Sequence, residues 1–233
     1  MPTKHVISQA DELFWGKARY APLQGILGRT GMRIDPIVKW NLGTPDTADA
    51  NGVVESQDLT ALGVFSVDTT AAAAIAAAAL AGVMDVPRNI VAAWTGTAVI
   101  TITGTDAYDN VLVESSASGT SLAGKKAFKT VNNVSVSADV TALTVGTGNV
   151  LGLPICLDHE RDVLAFYADT TEEKLAATFV AAVTSVATAT TGDVRGTVTP
   201  NTTPNGSVVM YIWMGPKGVS LSSDLVGVTQ YGG

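Results

Sequence analysis

VMDVPRNIVAAWTGTAVITITGTDAYDNVLVESSAS, residues 83–118, decides the fold. It divides into three strand-like pieces, residues 83–94, 97–105 and 111–116, separated by Thr95-Gly96 and by Asp106 to Asn110. In Ala98-Val-Ile-Thr-Ile-Thr103 the β-branched residues are dense, with Ile100 and Ile102 on one face and Thr101 and Thr103 on the other. That period of two is the mark of a half-buried strand. Asp109-Asn110 supplies a turn, because short polar side chains bond their own backbone and tolerate positive φ, so the chain reverses into Val111-Leu-Val-Glu114. A lone hairpin is marginal in water, so more sheet must lie against it.

Working outward, Val134-Ser-Val-Ser-Ala-Asp139 alternates strictly and predicts a one-sided strand. Residues 53–67, with Leu62-Gly-Val-Phe65 central, predict the first strands of the body, and Val163-Leu-Ala-Phe-Tyr167 predicts another. Gly119 to Gly124 reads as a loop of small residues, after which Lys125-Lys-Ala-Phe-Lys129 reopens a strand with its charges on the solvent face or a subunit boundary. Pro87 lacks a ladder donor and predicts an edge or a strand start, with Arg88 beside it at the surface unless it pairs with Asp85. Residues 175–187 carry enough β-branching for a strand, although their alanines permit a short helix. Residues 193–200 and 207–214 predict a long hairpin across Pro204-Asn-Gly206. On the second arm of that hairpin Met210, Ile212 and Met214 share one face and Tyr211 and Trp213 the other, so burial on both sides is expected, one of them by the same chain or by a partner. The alanine-rich run at 71–81 reads equally as helix or extended chain.

These pieces predict an all-β fold, an antiparallel β-sandwich of Greek-key or jelly-roll type with an irregular N-terminal arm. The expected divisions are an arm over residues 1–52, a sandwich over 53–216 and a Gly/Ser-rich, loose tail over 217–233. The arm has little periodicity, being broken by Pro22, Gly25, Gly28, Gly31, Pro36 and Pro45, yet it concentrates aromatic and basic side chains. It either folds back on its own domain or lies on a neighbouring subunit. For the second case the candidate contact residues are Phe14, Trp15, Arg19, Tyr20, Arg29, Arg33 and Trp40, since Trp, Tyr and Arg carry most binding energy at interfaces.

Composition narrows the chemistry. The 233 residues carry a net charge of −7, with 15% charged and 6% aromatic residues. Nucleic acid is therefore not expected as a direct partner, because neutralising phosphates needs a basic face. The single cysteine, Cys156, excludes an internal disulfide and a cysteine-based zinc cluster, and reads as a small core residue. Met1-Pro-Thr-Lys-His5 shows no apolar signal region, and the run at 71–83 is too short to span a bilayer, so a chain made in a cytosol and not in a membrane is expected. Gly146-Thr-Gly148 lacks the Lys-Ser/Thr of a phosphate loop and the third glycine of a dinucleotide site, and reads as a turn. Asp158-His-Glu-Arg-Asp162 offers at most two metal ligands where a site needs three, and reads as a solvated turn. No catalytic constellation, cofactor site or metal site is expected.

Several phrases together resemble structural proteins of tailed-bacteriophage virions: Asp85-Val-Pro-Arg-Asn89, Thr101-Ile-Thr-Gly-Thr-Asp-Ala-Tyr108 followed by Glu114, Gly124-Lys-Lys-Ala-Phe128, Thr144-Val-Gly-Thr-Gly-Asn149 with Leu151-Gly-Leu-Pro154, and Thr190-Thr-Gly-Asp-Val-Arg-Gly-Thr197 with Thr199-Pro200. The resemblance covers roughly residues 83–211 and is closest to head decoration, or cement, proteins. It implies a non-enzymatic β-sandwich on the outer surface of the virion head, a homotrimer bound to the major capsid protein across capsomer boundaries, made in the host bacterial cytoplasm. Such a clamp resists internal DNA pressure by linking several modest contacts. Two other classes stay open. One is a tail component, a tail tube or a fibre head-binding domain. The other is a carbohydrate-binding or adhesive sandwich, for which Trp94, Trp213 and the 158–162 cluster are the only candidates.

Overall fold

A computed structural model describes residues 37–59, 64–65, 82–183, 185, 187–214 and 230–232. Phe14, Trp15, Arg19, Tyr20, Arg29, Arg33 and the alanine-rich run at 71–81 lie outside the described residues. Within them the regular structure is antiparallel strand, joined by turns and irregular chain, with one 3-10 turn at Glu160–Asp162. The fold is the expected all-β sandwich-like arrangement of curled sheets.

The strands are β1 (Val38–Gly43), β2 (Val54–Leu59), β3 (Val64–Phe65), β4 (Val83–Ala98), β5 (Ile100–Thr105), β6 (Val111–Ser115), β7 (Gly119–Val136), β8 (Val140–Gly152), β9 (Val163–Ala168), β10 (Thr171–Glu172), β11 (Thr178–Val180), β12 (Thr197–Thr199) and β13 (Met210–Met214). A large sheet runs β11-β12-β8-β4-β7-β5-β6, with β2 added to β8 and β3 to β7, and a small sheet runs β1-β13-β9-β10. The backbone of the large sheet is β4, β7 and β8, of 16, 18 and 13 residues. Strands of this length cannot stay flat, and register shifts at Val83/Arg88, Asn89/Val91 and Ala93/Ala98 between β4 and β7 let them bend.

The curl encloses a first core of Ile90, Trp94, Ile100, Ile102, Leu112, Phe128, Val134, Leu143 and Val145. Ile100, Ile102, Val134 and Val136 point inward as their alternation predicts. A second core fills the space between the small sheet and one end of the large one. There Phe166, Met210, Ile212 and Met214 meet Val86, Leu151, Leu153, Leu157 and Val198, and Phe179 packs edge-on to Phe166 with ring centroids 5.9 Å apart.

Several expectations are corrected. Residues 193–214 do not form a hairpin: β12 joins β8 and β11 in the large sheet, while β13 lies between β1 and β9 in the small one. The turn itself exists, with Asn205 Oδ1 accepting from the N–H of Ser207 and Val208 and Gly206 at φ 75°, but it carries the chain from one sheet to the other. Pro87 lies in a central strand, tolerated because the ladder is already interrupted there by a bulge. Residues 119–124 are the start of β7 and not a loop. Of the described residues among 175–187 only Thr178–Val180 pairs as strand. Cys156 is half-exposed, its thiol 3.5 Å from Asp158, because Ile155 and Leu157 take the inward positions on either side of it. Residues 38–43, placed by sequence in an irregular arm, form a strand paired along β13. Residues 44–53 also belong to the body, since Asp49 O accepts from Thr147 N at 2.7 Å and Val53 N donates to Val145 O at 2.9 Å. The loose tail is also corrected at its end. Gln230 is buried with its amide on Asp193, and the Tyr231 carbonyl accepts from Val113 N at 2.8 Å on the outer edge of β6, where Ser115 N likewise donates to Ala189 O.

Gly146-Thr-Gly148 is continuous strand inside β8, not a turn. Its glycines are there for close approach: a Cβ on Gly146 would collide with the backbone of Asp49 and Ala50, and one on Gly148 with the side chain of Asn89. Gly146→Ala is expected to cost about 1–3 kcal/mol through forced backbone displacement, read as a lower urea midpoint. Gly119→Ala, where nothing lies within 4 Å, is the matched control and should leave the midpoint unchanged.

Candidate functional site

Among the described residues the small sheet buries one face and leaves the other open. Alternation sends Met210, Ile212 and Met214 of β13 inward and turns Tyr211 and Trp213 outward. The register sets Lys39, Trp213 and Ala165 in one row and Asn41, Tyr211, Tyr167 and Glu172 in the next. Lys39 Nζ stands 3.7 Å from the centroid of the Tyr211 ring and 6.0 Å from that of Trp213. This is a cation–π contact that holds the ammonium over the face.

One device on this face comes from irregularity. Trp213 pairs with Ala165 but Met214 pairs with Val163, so β9 has an extra residue, Leu164, between two ladder positions. A bulge of this kind re-aims its side chain. Val163 stays buried while Leu164 is 48% exposed. With Ile37 at 60% and Trp213 at 37% exposure, the result is an apolar and aromatic groove of about 690 Å³, to which Asp169 and Thr170 add polar groups. Large apolar side chains grouped on an outer sheet face mark an interaction surface more often than singly scattered ones.

Of the arm residues expected to make contacts, only Trp40 is described, and it lies elsewhere. It sits next to Lys39 in β1 and so projects to the opposite side, packing against the second core. It is half-buried there. At β13 the Met210, Ile212 and Met214 face is buried as expected, and among the described residues the Tyr211 and Trp213 face is the one left for a partner to cover. Trp94 is buried in the first core, so it offers no exposed platform.

Several titratable groups are buried in staples between strands, and Arg88 takes the ion pair with Asp85 that its sequence left open. Arg88, 1% exposed, pairs with Asp85 at 2.9 Å and donates to Gly148 O and Asp46 O, tying residue 46 to β4 and β8. Next to it Asn89 receives Val150 N on its Oδ1 and donates to Gly124 O, bridging the strands on either side of the bulged β4. Asp106 and Arg195 pair at 2.9 Å, both buried, with Arg195 Nε on Leu153 O and its guanidinium 5.0 Å from the Tyr108 ring centroid. The Tyr108 hydroxyl donates to Pro154 O. Its phenol pKa is raised by burial, a shift that Arg195 opposes.

Glu114 accepts from Lys125 N at 2.6 Å in the space left by Gly124. Burial pushes its carboxyl up to about 7, against the pull of the Lys125 and Lys126 backbone N–H groups. Lys126, expected on a solvent face, is fully buried, and burial lowers its pKa. Its ammonium donates to Thr188 O and lies 5.7 Å from the Tyr231 ring centroid. Asp193 gathers Ala127 N, Arg195 N and the Gln230 amide. Each of these groups ties one segment to another, which is structural work. Among the described residues no group of three His, Cys, Asp or Glu could hold a metal ion. The 158–162 segment is a largely exposed 3-10 turn, with Asp162 accepting from His159 N at 3.1 Å. No described helix is long and apolar enough to cross a membrane.

Comparison with protein-family models, with curated proteins and with solved structures gives no match to this chain.

Proposed function

We propose that this chain is a non-enzymatic assembly protein of the phage head-decoration kind, which associates with copies of itself and with repeated shell subunits on the outside of a virion. The observation that carries the reading is the outer face of the small sheet, where Leu164, Trp213 and Ile37 are held in the open on a paired strand framework. Rigid aromatic and apolar side chains grouped on a flat scaffold suit contact with a neighbour, since little entropy is lost on docking. The buried groups Arg88, Asp106, Glu114, Lys126, Asp193 and Arg195 support it too, because they tie strands together and none of them lines the groove. Net charge of −7 suits a surface component more than a nucleic-acid binder.

Incubation of the purified chain with assembled, undecorated shells is expected to give co-sedimentation, and reconstruction of the particles should place its density on the head at subunit junctions. Density confined to the tail would replace this reading by the tail-component one. Absence from particles altogether would end both.

One observation favours a second reading. Trp213 and Tyr167 line one open groove with Asp169, an arrangement that suits sugar stacking. Against it, Lys39 already occupies the face of Tyr211 at 3.7 Å. Binding to a glycan array that disappears in Trp213→Ala would favour the carbohydrate reading.

A further inference from the structure

We propose that the groove on the small sheet receives residues 1–36 of a second copy of this chain, so that copies are joined by exchanged N-terminal segments. The inference rests on the reading of the chain as an assembly protein and names the neighbour that this face takes.

The first argument is position. Ile37, the first described residue, itself lines the groove, and Val38 pairs with Met214 at the adjacent end of β13. Residues 1–36 therefore depart from the mouth of the groove. Fully extended, a segment of that length reaches on the order of 120 Å. A body of this size has a radius of gyration near 16 Å, so the segment easily reaches a neighbouring copy.

Charge is the second argument. Residues 1–36 contain five Lys and Arg against three Asp and Glu, whereas residues 37–233 contain nine against eighteen. Segment and body thus carry opposite net charge, which steers one toward the other and disfavours contact between two bodies alone.

Chemistry is the third. Phe14, Trp15 and Tyr20 match a groove walled by Tyr167, Trp213 and Leu164, and aromatic pairs add to the area they bury. Arg19 can stack its planar guanidinium on a ring or pair with Asp169, the carboxylate of the groove. A segment-to-groove contact is heterologous, so it closes into a ring where the rotation permits, and three copies are the smallest ring that needs no swap between two.

The test uses two full-length variants. Leu164→Asp places a charge in the groove, and Phe14→Ala/Trp15→Ala/Tyr20→Ala removes the anchors of the segment. Light scattering after gel filtration is expected to show an oligomer for the parent chain and monomers for each variant, with self-association weakened about 30-fold or more. Mixing the two variants should restore a species of two chains, because the intact segment of one meets the intact groove of the other. A monomeric parent chain, oligomers in either variant, or a mixture that stays monomeric would each overturn the proposal. Leu164 is half-exposed, and an unchanged melting curve checks that its variant folds; Trp213→Ala serves as the groove variant if it does not. No shell is present in this experiment, so its failure and a failure to bind particles are separate results.

Discussion

Asp106→Ala is expected to lower the stability of the fold by about 3–5 kcal/mol, the range for removing one partner of a buried ion pair. Asp106 has no exposed surface, and its carboxylate accepts from Arg195 Nη1 at 2.9 Å, Tyr108 N at 2.8 Å and Asn110 N at 3.0 Å. Truncation leaves the Arg195 guanidinium buried without a counter-charge and strips the 106–110 turn of the acceptor that shapes it. The expected result is a large drop in the urea midpoint with the slope kept. The double variant Asp106→Ala/Arg195→Met should recover part of the loss, since it removes the orphaned charge as well. A single-variant loss under about 1 kcal/mol would mean that water reaches this pair and that it is not a staple.

Glu114 should give the fold an unusual dependence on pH. Its carboxyl is raised from an ordinary value near 4.5 to about 7, so the folded state holds the proton more tightly than the unfolded chain. The stabilisation from this group is complete below about pH 4.5 and disappears as pH rises through 7. At about 1.4 kcal/mol per unit, the loss between pH 4.5 and 8 is on the order of 3 kcal/mol. Denaturation of the parent chain and of Glu114→Gln across this range is the measurement. The difference between the two curves should shrink at low pH and widen, in favour of the glutamine variant, above pH 7. A constant difference would show that Glu114 titrates as an exposed carboxylate does.

The local regularities were legible and the long-range ones were not. Period-two alternation at Ile100, Ile102, Val134 and Val136 correctly predicts which side chains face the core, and Asp109 adopts the positive φ of 64° that its turn requires. The chemistry of Lys126 is different. In Gly124-Lys-Lys-Ala it reads as a solvated residue, and what buries it, the Thr188 carbonyl, comes from 62 positions along the chain. Gly146 and Gly148 mislead for the same reason, because a glycine that permits a turn and one that permits another backbone to pass look alike until the passing segment is known. The β12 to β13 connection has a correct turn motif, yet sheet membership depends on β8 and β9, which no local pattern names. At the candidate face, alternation reveals Tyr211 and Trp213, whereas Leu164 is exposed only through a bulge set by pairing with β13.

The outermost strand of the larger sheet, β6, has the N–H groups of Val113 and Ser115 already satisfied by the carbonyls of Tyr231 and Ala189. Such margins are where β-proteins zip into fibres. This flank is therefore closed to foreign backbone, and a neighbour would be chosen by side chains, which discriminate where amides cannot.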